Sequence, residues 1–216
     1  YIMPIPQRAV FESGYETEKE KYSDFIEKLE ASFSDPSVVL NPLSELEKHQ
    51  DEYIYFRTGN SWTMRGAFYG AQVIFGELGY DKEKLDAYRE YVFGNFKGNL
   101  LLEALGKYTT DEIKKGIENM EEEPFYIYIN GSNPNREELT FENKEGQLQT
   151  LKRQTIQFNG SGNYAVIGSS YKHSIVEGRG KGQRKGNLLL IADTRGKMMI
   201  SYLSEVFEKV YVSNIY

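Results

Sequence analysis

The sequence predicts an α/β fold in which helices cover an open sheet, and two parts of the chain predict it. The first lies near the C-terminus, where the continuous apolar run 187–192 (NLLLIA) leads through a tight turn at 193–196 into a helical stretch and then a strand at 209–213. A strand, a turn, a helix and a second strand form a βαβ unit. The second part is the alternation of strand-like and helix-like segments at the N-terminus, which is typical of the same class.

The individual elements follow from the spacing of apolar residues. Apolar residues three and four apart predict helices, and alternating or continuous apolar runs between turn residues predict strands. Helices are predicted at residues 16–33, 63–78, 81–91, within 109–123 and at 197–208. Strands are predicted at residues 1–6, 38–40, 124–130, 149–158, 164–176, 187–192 and 209–213. The run 187–192 is expected to be buried on both faces of the sheet, because it is apolar throughout.

Length and composition indicate one domain with a sizeable core. The chain has 216 residues, of which 39% are hydrophobic and 14% aromatic, enough to bury a core of normal size. We expect residues 1–216 to form a single α/β domain with a less regular strand and loop insertion around 120–160. Because the chain opens on an apolar strand at residues 1–6 rather than on methionine, we also expect that an N-terminal part of the gene product precedes it.

Composition also excludes several classes of site and partner. The net charge of −6 argues against nucleic acid as a partner. The absence of cysteine excludes disulfides, thiolate metal sites and thiol catalysis. With only two histidines, His49 and His173, and no clustered carboxylates, no metal or other cofactor is expected. No apolar run is long enough to predict a membrane span.

The turn after the apolar run 187–192 is the first candidate site. Ligands of open parallel sheets bind beyond the carboxyl ends of the strands, where Asp193, Thr194 and Arg195 lie. Thr194 is the only hydroxyl in this turn and is a candidate nucleophile, with His173 as a candidate base. The alternative is structural: Asp193 and Thr194 are good helix caps, and His173 is an ordinary surface histidine.

The second candidate site is the stretch RTGNSWTMRG at residues 57–66, where an apolar run meets a predicted helix. It offers small polar residues, two arginines and the only tryptophan of the chain, Trp62, but no histidine and no carboxylate. As a helix entrance it contains three candidate caps, Asn60, Ser61 and Thr63.

These two stretches resemble the signature segments of the DHHW protein family. Residues 51–69 (DEYIYFRTGNSWTMRGAFY) resemble a family segment that reads roughly DEYIYYRTDHHWTxxGAYY, and residues 187–194 (NLLLIADT) resemble its LLVIxDS segment. The opening at residues 2–6 and the ending at 201–212 resemble further parts of the family pattern. The resemblance implies a flavodoxin-like, SGNH-hydrolase-like three-layer sandwich with a mostly parallel sheet and helices on both faces.

The resemblance also implies a function and a set of site residues. The family is related to polysaccharide O-acetyltransferases of the alginate type, and its Asp, His and Ser form a catalytic triad. Those three positions are Gly59, Ser61 and Thr194 in this chain. Glycine cannot orient an imidazole and serine cannot act as a base near neutral pH, so the resemblance predicts a retained pocket with altered or lost chemistry.

Three functional readings follow. The first is a pseudoenzyme that binds a cell-surface polysaccharide; the second is a live esterase or O-acetyltransferase that uses Thr194 with a relocated base such as His173. The third is a scaffold for a membrane-bound O-acyltransferase. All three place the protein outside the cytoplasm, at the bacterial cell envelope. The predicted pocket residues are Asp193, Arg195, Trp62, Asn60, Arg57 and Tyr55, with Tyr69 nearby.

Overall fold

A computed structural model of the chain describes residues 1–81, 85–96, 98, 110–130, 138–142, 147–152, 156–158, 164–166, 173–177 and 186–215. The helices in these ranges are α1 (Glu16–Glu30), α2 (Leu43–Glu47), α3 (Met64–Glu77), α4 (Asp111–Glu118), α5 (Thr194–Lys197) and α6 (Ile200–Val206). Single 3₁₀ turns lie at Arg8–Phe11, Pro36–Val38 and Leu85–Ala87.

The strands described are β1 (Tyr88–Phe96), β2 (Glu123–Asn130), β3 (Glu138–Glu142), β4 (Leu148–Lys152), β5 (Ile156–Phe158), β6 (Tyr164–Val166), β7 (His173–Glu177), β8 (Asn187–Ala192) and β9 (Lys209–Asn214). They form a five-stranded sheet in the order β4-β3-β7-β9-β8 and two hairpins, β1-β2 and β5-β6. The described residues therefore form both helices and strands.

The predicted βαβ unit is present at the C-terminus. β8 and β9 pair in parallel, with Leu188 opposite Val210 and Leu190 opposite Val212, and α5 and α6 connect them. The pairs β3-β4, β3-β7 and β7-β9 are antiparallel. Among the described strands one ladder is thus parallel, together with an isolated parallel bridge between Ile2 and Val39. The mostly parallel three-layer sandwich stays a prediction.

The expectation that β8 is buried on both faces is wrong. Leu189 and Ile191 are 64% and 62% exposed, whereas Leu188 and Leu190 pack against the core. Successive side chains of β8 point to opposite faces of the sheet, so one face of this strand packs against the core and the other faces solvent, unlike those of a central parallel strand.

Two helix predictions near the N-terminus are confirmed and a third is wrong. Amphipathic spacing gives α1 and α3 close to the expected places, and Thr63 caps α3 by accepting a hydrogen bond from Gly66 N. Within the predicted helix 81–91, however, residues 85–87 form a 3₁₀ turn and residues 88–91 begin β1, which pairs antiparallel with β2. Tyr88, Tyr91 and Val92 are strong strand formers, and pairing with β2 outweighs the local helical spacing.

The core centres on α3, which is buried on most of its surface. The Phe68 ring packs edge-on against Tyr202 of α6 at 5.3 Å and against Tyr88 of β1 at 5.6 Å. The Tyr202 hydroxyl donates a hydrogen bond of 2.8 Å to the carbonyl of Met64. These contacts bring the C-terminal βαβ unit and the entrance of α3 together, and this placement forms the candidate site.

Candidate functional site

The two predicted site segments are in direct contact. Trp62 Nε1 donates a hydrogen bond of 2.9 Å to the carbonyl oxygen of Arg195, across 133 residues of sequence. The indole is fully buried, at 0% exposure. The side chain therefore fixes the position of the turn at Asp193–Gly196 relative to the loop that precedes α3.

Asp193 organises the turn. Its Oδ1 accepts a hydrogen bond of 3.0 Å from Gly196 N, which makes it the N-cap of α5, and its Oδ2 lies 3.0 Å from Arg195 Nε. A Cβ on Gly196 would lie 2.7 Å from Ala192 Cβ, so only glycine lets the helix begin this close to β8. Thr194 follows as the first helical residue and is exposed.

The loop between Tyr55 and Trp62 is closed by backbone hydrogen bonds. Tyr55 and Trp62 form an antiparallel bridge, Phe56 N donates to Ser61 O at 3.1 Å, and Thr63 N donates to Ile54 O at 2.8 Å. We refer to residues 55–62 as the motif loop. The cap of α3 is Thr63, which leaves Asn60 and Ser61 partly exposed within the loop.

A buried carboxylate from β2, Glu123, holds the motif loop. Its two oxygens accept hydrogen bonds from Arg57 N at 2.7 Å, from Thr58 N at 2.7 Å, and from the hydroxyls of Thr58 and Tyr53. Glu123 is only 4% exposed. Because a buried carboxylate needs several donors to replace its hydration, these four contacts fix the loop and the hairpin to each other.

Gly98 covers the same loop from the outside. Its N–H donates a hydrogen bond of 2.7 Å to Thr58 Oγ1. A Cβ at this position would lie 2.2 Å from the Thr58 carbonyl oxygen. Neither contact could be predicted from the sequence, because Glu123 and Gly98 are 65 and 40 residues away from Thr58.

The three positions of the implied triad are all described. Gly59 is buried in the motif loop, Ser61 is partly exposed, and Thr194 is exposed at the start of α5. The motif loop and the turn thus lie together around the Trp62–Arg195 hydrogen bond, although none of the three residues is a histidine or a carboxylate.

His173 is placed by strand register. It lies opposite Ser213 of β9, and Ser213 lies opposite Ile191 of β8. Two strand spacings of about 4.8 Å put the backbones of His173 and Ile191 roughly 10 Å apart, near the sheet edge from which Thr194 follows. The pairing of Thr194 with His173 as a base stays a prediction.

Lys197 is a chemical group near Thr194 that the sequence did not single out. It lies one helical turn after Thr194 and is 1% exposed. Burial lowers the pKa of Lys197, and the charge of Asp193 offsets part of this effect. A lysine with a lowered pKa is a stronger candidate for a proton acceptor than an ordinary surface lysine.

Trp62 and Tyr55, two of the predicted pocket residues, offer no exposed ring on which a sugar could stack. The indole is buried and its N–H is used by Arg195 O, and Tyr55 is 7% exposed with its hydroxyl bonded to Pro6 O at 2.7 Å. Among the predicted pocket residues, Arg57 is the one whose side chain is exposed beside the motif loop.

A polar cavity of about 400 Å³ lies beside the motif loop. Arg57 lies over the Tyr53 ring, at 5.6 Å from guanidinium carbon to ring centre, and Phe11 packs against Tyr55 at 5.3 Å. We call this cavity the arginine pocket. It is lined by Arg8, Phe11, Glu12, Gln50, Asp51, Glu52, Tyr53, Ile54, Tyr55 and Arg57.

His49 is held beside this cavity by two contacts. Its Nδ1 lies 2.7 Å from Glu52 Oε1, and its ring stacks on Tyr69 with 3.6 Å between ring centres. Glu52 also accepts from the Tyr69 hydroxyl at 2.8 Å and pairs with Arg65 at 3.2 Å. Arg65 continues the network to Glu90 at 3.1 Å.

This network predicts an acid-dependent loss of stability. Burial raises the pKa of Glu52, but hydrogen bonds from His49 and Tyr69 and the charges of His49 and Arg65 more than offset it, so the pKa lies below its ordinary value. A lowered pKa stabilises the fold above the unfolded pKa of about 4.3, and that contribution disappears as the pH falls through the folded pKa. We expect Glu52→Gln to lose less stability than the wild type between about pH 5 and pH 3, measured by urea unfolding.

The matched control is Glu77→Gln, at an exposed glutamate of α3. It should keep the acid dependence of the wild type. An unchanged acid dependence in Glu52→Gln would show that the network does not stabilise the fold through this carboxylate.

The described ranges contain neither a metal-binding cluster nor a membrane-spanning helix. No group of three or more histidine, cysteine, aspartate or glutamate side chains in them is arranged to hold a metal ion. Of the helices that the structure describes, none is both long and apolar enough to cross a bilayer.

Comparisons with known proteins give one family and several similar structures. The profile of the family described as "DHHW protein" matches residues 40–213. A DHHW family protein from Eubacterium siraeum superposes with a TM-score of 0.76 at 22% identity, covering 99% of this chain and 68% of that one. None of the curated proteins matches the chain.

Bacillus cereus PatB1 is similar in fold as well. Its structure superposes with a TM-score of 0.62 at 14% identity, over 99% of this chain and 72% of PatB1. A second PatB1 structure, with a sulfonyl adduct, gives a TM-score of 0.57 at 15% identity, over 82% of this chain and 58% of that one. At these identities the likeness concerns the fold.

Proposed function

The chain belongs to the DHHW protein family, and we propose that it is a catalytically degenerate member that takes part in cell-surface polysaccharide O-acylation by binding glycan. Its place would be outside the cytoplasm, at the cell envelope. The support comes from the family, from the contact between the motif loop and the turn at Asp193, and from the chemistry of the residues that occupy the two segments.

The observation that carries the proposal is that the two site segments are in contact but hold neither a histidine nor a carboxylate at the implied triad positions. The Trp62–Arg195 hydrogen bond of 2.9 Å brings the motif loop to the turn of Asp193. The positions implied for the triad nevertheless hold Gly59, Ser61 and Thr194. A serine-type acyl transfer needs a base to take the nucleophile's proton and a group to orient that base, and loss of triad members lowers rates by about 10⁴-fold or more.

The arginine pocket supports glycan binding next to this site. Its volume of about 400 Å³ is that of a small-ligand site. Arg57 and Gln50 supply hydrogen-bond donors, Asp51 supplies acceptors, and Tyr53 adds an aromatic ring. Sugars are bound by this combination, because their hydroxyls take both kinds of hydrogen bond and their C–H faces pack on rings.

A membrane-bound O-acyltransferase would be the partner that supplies acyl groups in this process. The scaffold alternative assigns the protein only the docking of that enzyme, without glycan binding. The two differ in one property: only the first requires that the isolated chain bind polysaccharide.

The second candidate function is an esterase or O-acetyltransferase that uses Thr194 with a relocated base. Lys197 favours this candidate, because it lies one turn from Thr194 and burial lowers its pKa. If Lys197 were the base, the rate would rise with pH through its lowered pKa, since only the neutral amine accepts a proton.

The test combines turnover with binding. We expect the wild type to hydrolyse p-nitrophenyl acetate no faster than Thr194→Ala, and to bind one or more glycans on an array of bacterial surface polysaccharides. Arg57→Ala should weaken that binding by about tenfold, the loss of a charged hydrogen bond to the ligand. The control is Arg89→Ala, at an exposed arginine of β1 that does not line the arginine pocket.

Wild-type hydrolysis that disappears in Thr194→Ala would overturn the proposal. If the same hydrolysis is also lost in Lys197→Met, at unchanged thermal stability, the second candidate is established. Absence of any glycan binding, with no turnover, would leave the scaffold.

A further inference from the structure

An apolar groove runs along β8 and reaches the turn that carries Thr194. It has a volume of about 600 Å³, within the range of small-ligand sites. One wall is β8, and the opposite wall is the extended N-terminal segment 1–5 together with side chains of α3. We call it the β8 groove.

Most side chains that line the β8 groove are aliphatic or thioether groups, and Tyr1 and Phe207 add two aromatic rings. Ile5, Ile74, Leu188, Leu190 and Met199 line it and also pack against the core, which fixes them in place. Met3 and Met199 are unbranched, so they adjust to the shape of a flexible apolar ligand. A long, unbranched hydrocarbon fits such a lining better than a sugar does.

One end of the groove is polar and adjoins the candidate site. Asp193, Arg195 and Gly196 line it there. The ion pair with Asp193 uses Arg195 Nε, so the two terminal nitrogens of the guanidinium group extend beyond that contact. A guanidinium group can bind a carboxylate through such a pair of nitrogens, so a cation lies at one end of the apolar β8 groove.

The open side of the groove is apolar as well. Leu189 and Ile191 line it and are 64% and 62% exposed, and residues 187–192 contain no charge. Exposed apolar patches of this kind mark binding surfaces.

We propose that the β8 groove binds the hydrocarbon chain of a single-chain fatty acid or fatty acyl group, with the carboxyl end at Arg195. The inference goes beyond the proposed function, because this binding requires neither a glycan nor a working triad. It places the carboxyl end of a medium or long acyl chain at the turn that carries Thr194.

The test is a chain-length series measured by isothermal titration calorimetry below the critical micelle concentration. With hexanoate, octanoate, decanoate and dodecanoate, affinity should rise about three- to fourfold per added methylene, because each buried methylene contributes about 0.8 kcal/mol. Acetate should not bind measurably. Arg195→Gln should weaken dodecanoate more than dodecanol, which has the same chain without the charge.

A matched pair of surface variants locates the site. Leu189→Asp should lower the affinity for dodecanoate by about tenfold or more, because it removes an apolar wall and adds a like charge. Val92→Asp changes a residue of β1 that is also 64% exposed and does not line the groove, and it should bind as the wild type does.

Two outcomes would overturn the proposal. One is an affinity that does not depend on chain length, or that both variants reduce equally. The other is a concentration-dependent dimer that Leu189→Asp dissociates while no fatty acid binds, which would make the groove an interface between two copies. Neither outcome changes the result expected from the glycan array, so the two proposals can be refuted independently.

Discussion

Glu123→Ala should lower the stability of the fold by about 3–5 kcal/mol, the cost typical of removing one partner from a buried charged network. The substitution leaves the N–H groups of Arg57 and Thr58 and the hydroxyls of Thr58 and Tyr53 without their common acceptor. In a domain of this size we expect the melting temperature to fall by roughly 10 °C, measured by differential scanning calorimetry.

Glu122→Ala is the control, because Glu122 is the exposed neighbour of Glu123. A surface change of that kind should stay within about 0.5 kcal/mol of the wild type. Partial recovery of Glu123→Ala in acetate buffer, compared with chloride at equal ionic strength, would show that the missing carboxylate itself is responsible. Equal stabilities of the two variants would refute the role given to Glu123.

Gly66→Ala should destabilise the protein by about 2–3 kcal/mol, at the upper end of the usual cost of overpacking. A Cβ at Gly66 would lie 2.4 Å from the Ile54 carbonyl oxygen and 2.9 Å from Trp62 Cβ. Neither atom can move easily, because Ile54 O accepts the hydrogen bond from Thr63 N and Trp62 is bonded to Arg195. Chemical denaturation with a shifted midpoint and an unchanged slope would report this loss.

Gly116→Ala should have the opposite effect on the free energy of unfolding. Gly116 lies within α4 and a Cβ there would meet nothing within 4 Å, so alanine should stabilise the helix by about 0.5–1 kcal/mol. If both substitutions changed stability in the same direction, the close approach of α3 to the motif loop would not be the cause of the effect at Gly66.

The parts of the fold that the sequence predicted are those governed by local spacing. α1, α3 and the unit from β8 to β9 each carry their pattern within one segment, and each is present. Where a partner strand decides the structure, local spacing failed. Residues 88–91 have a helical spacing, but they belong to β1, because β2 lies more than thirty residues further along and supplies its hydrogen bonds.

The candidate site was predictable to a similar degree. The motif loop and the turn at Asp193 could be identified by resemblance, and the structure brings them together through Trp62. The burial of Trp62 could not be inferred, because indole rings are common both in cores and in sugar sites. Glu123 gave no signal at all, because it is one of three successive glutamates and only the fold shows that it turns inward.

The hydrogen bond between Trp62 and Arg195 has a consequence for the synthesis of the protein. Its two partners are 133 residues apart, and a ribosome adding about 5–20 residues per second needs on the order of ten seconds to make the intervening chain. Throughout that time the most apolar part of the motif loop lacks its partner, and α3 lacks Tyr202 as well. The two halves of the site can therefore come together only after the segment from Asp193 onward has left the ribosome, and until then Trp62 is apolar surface of the kind that makes nascent chains prone to aggregation.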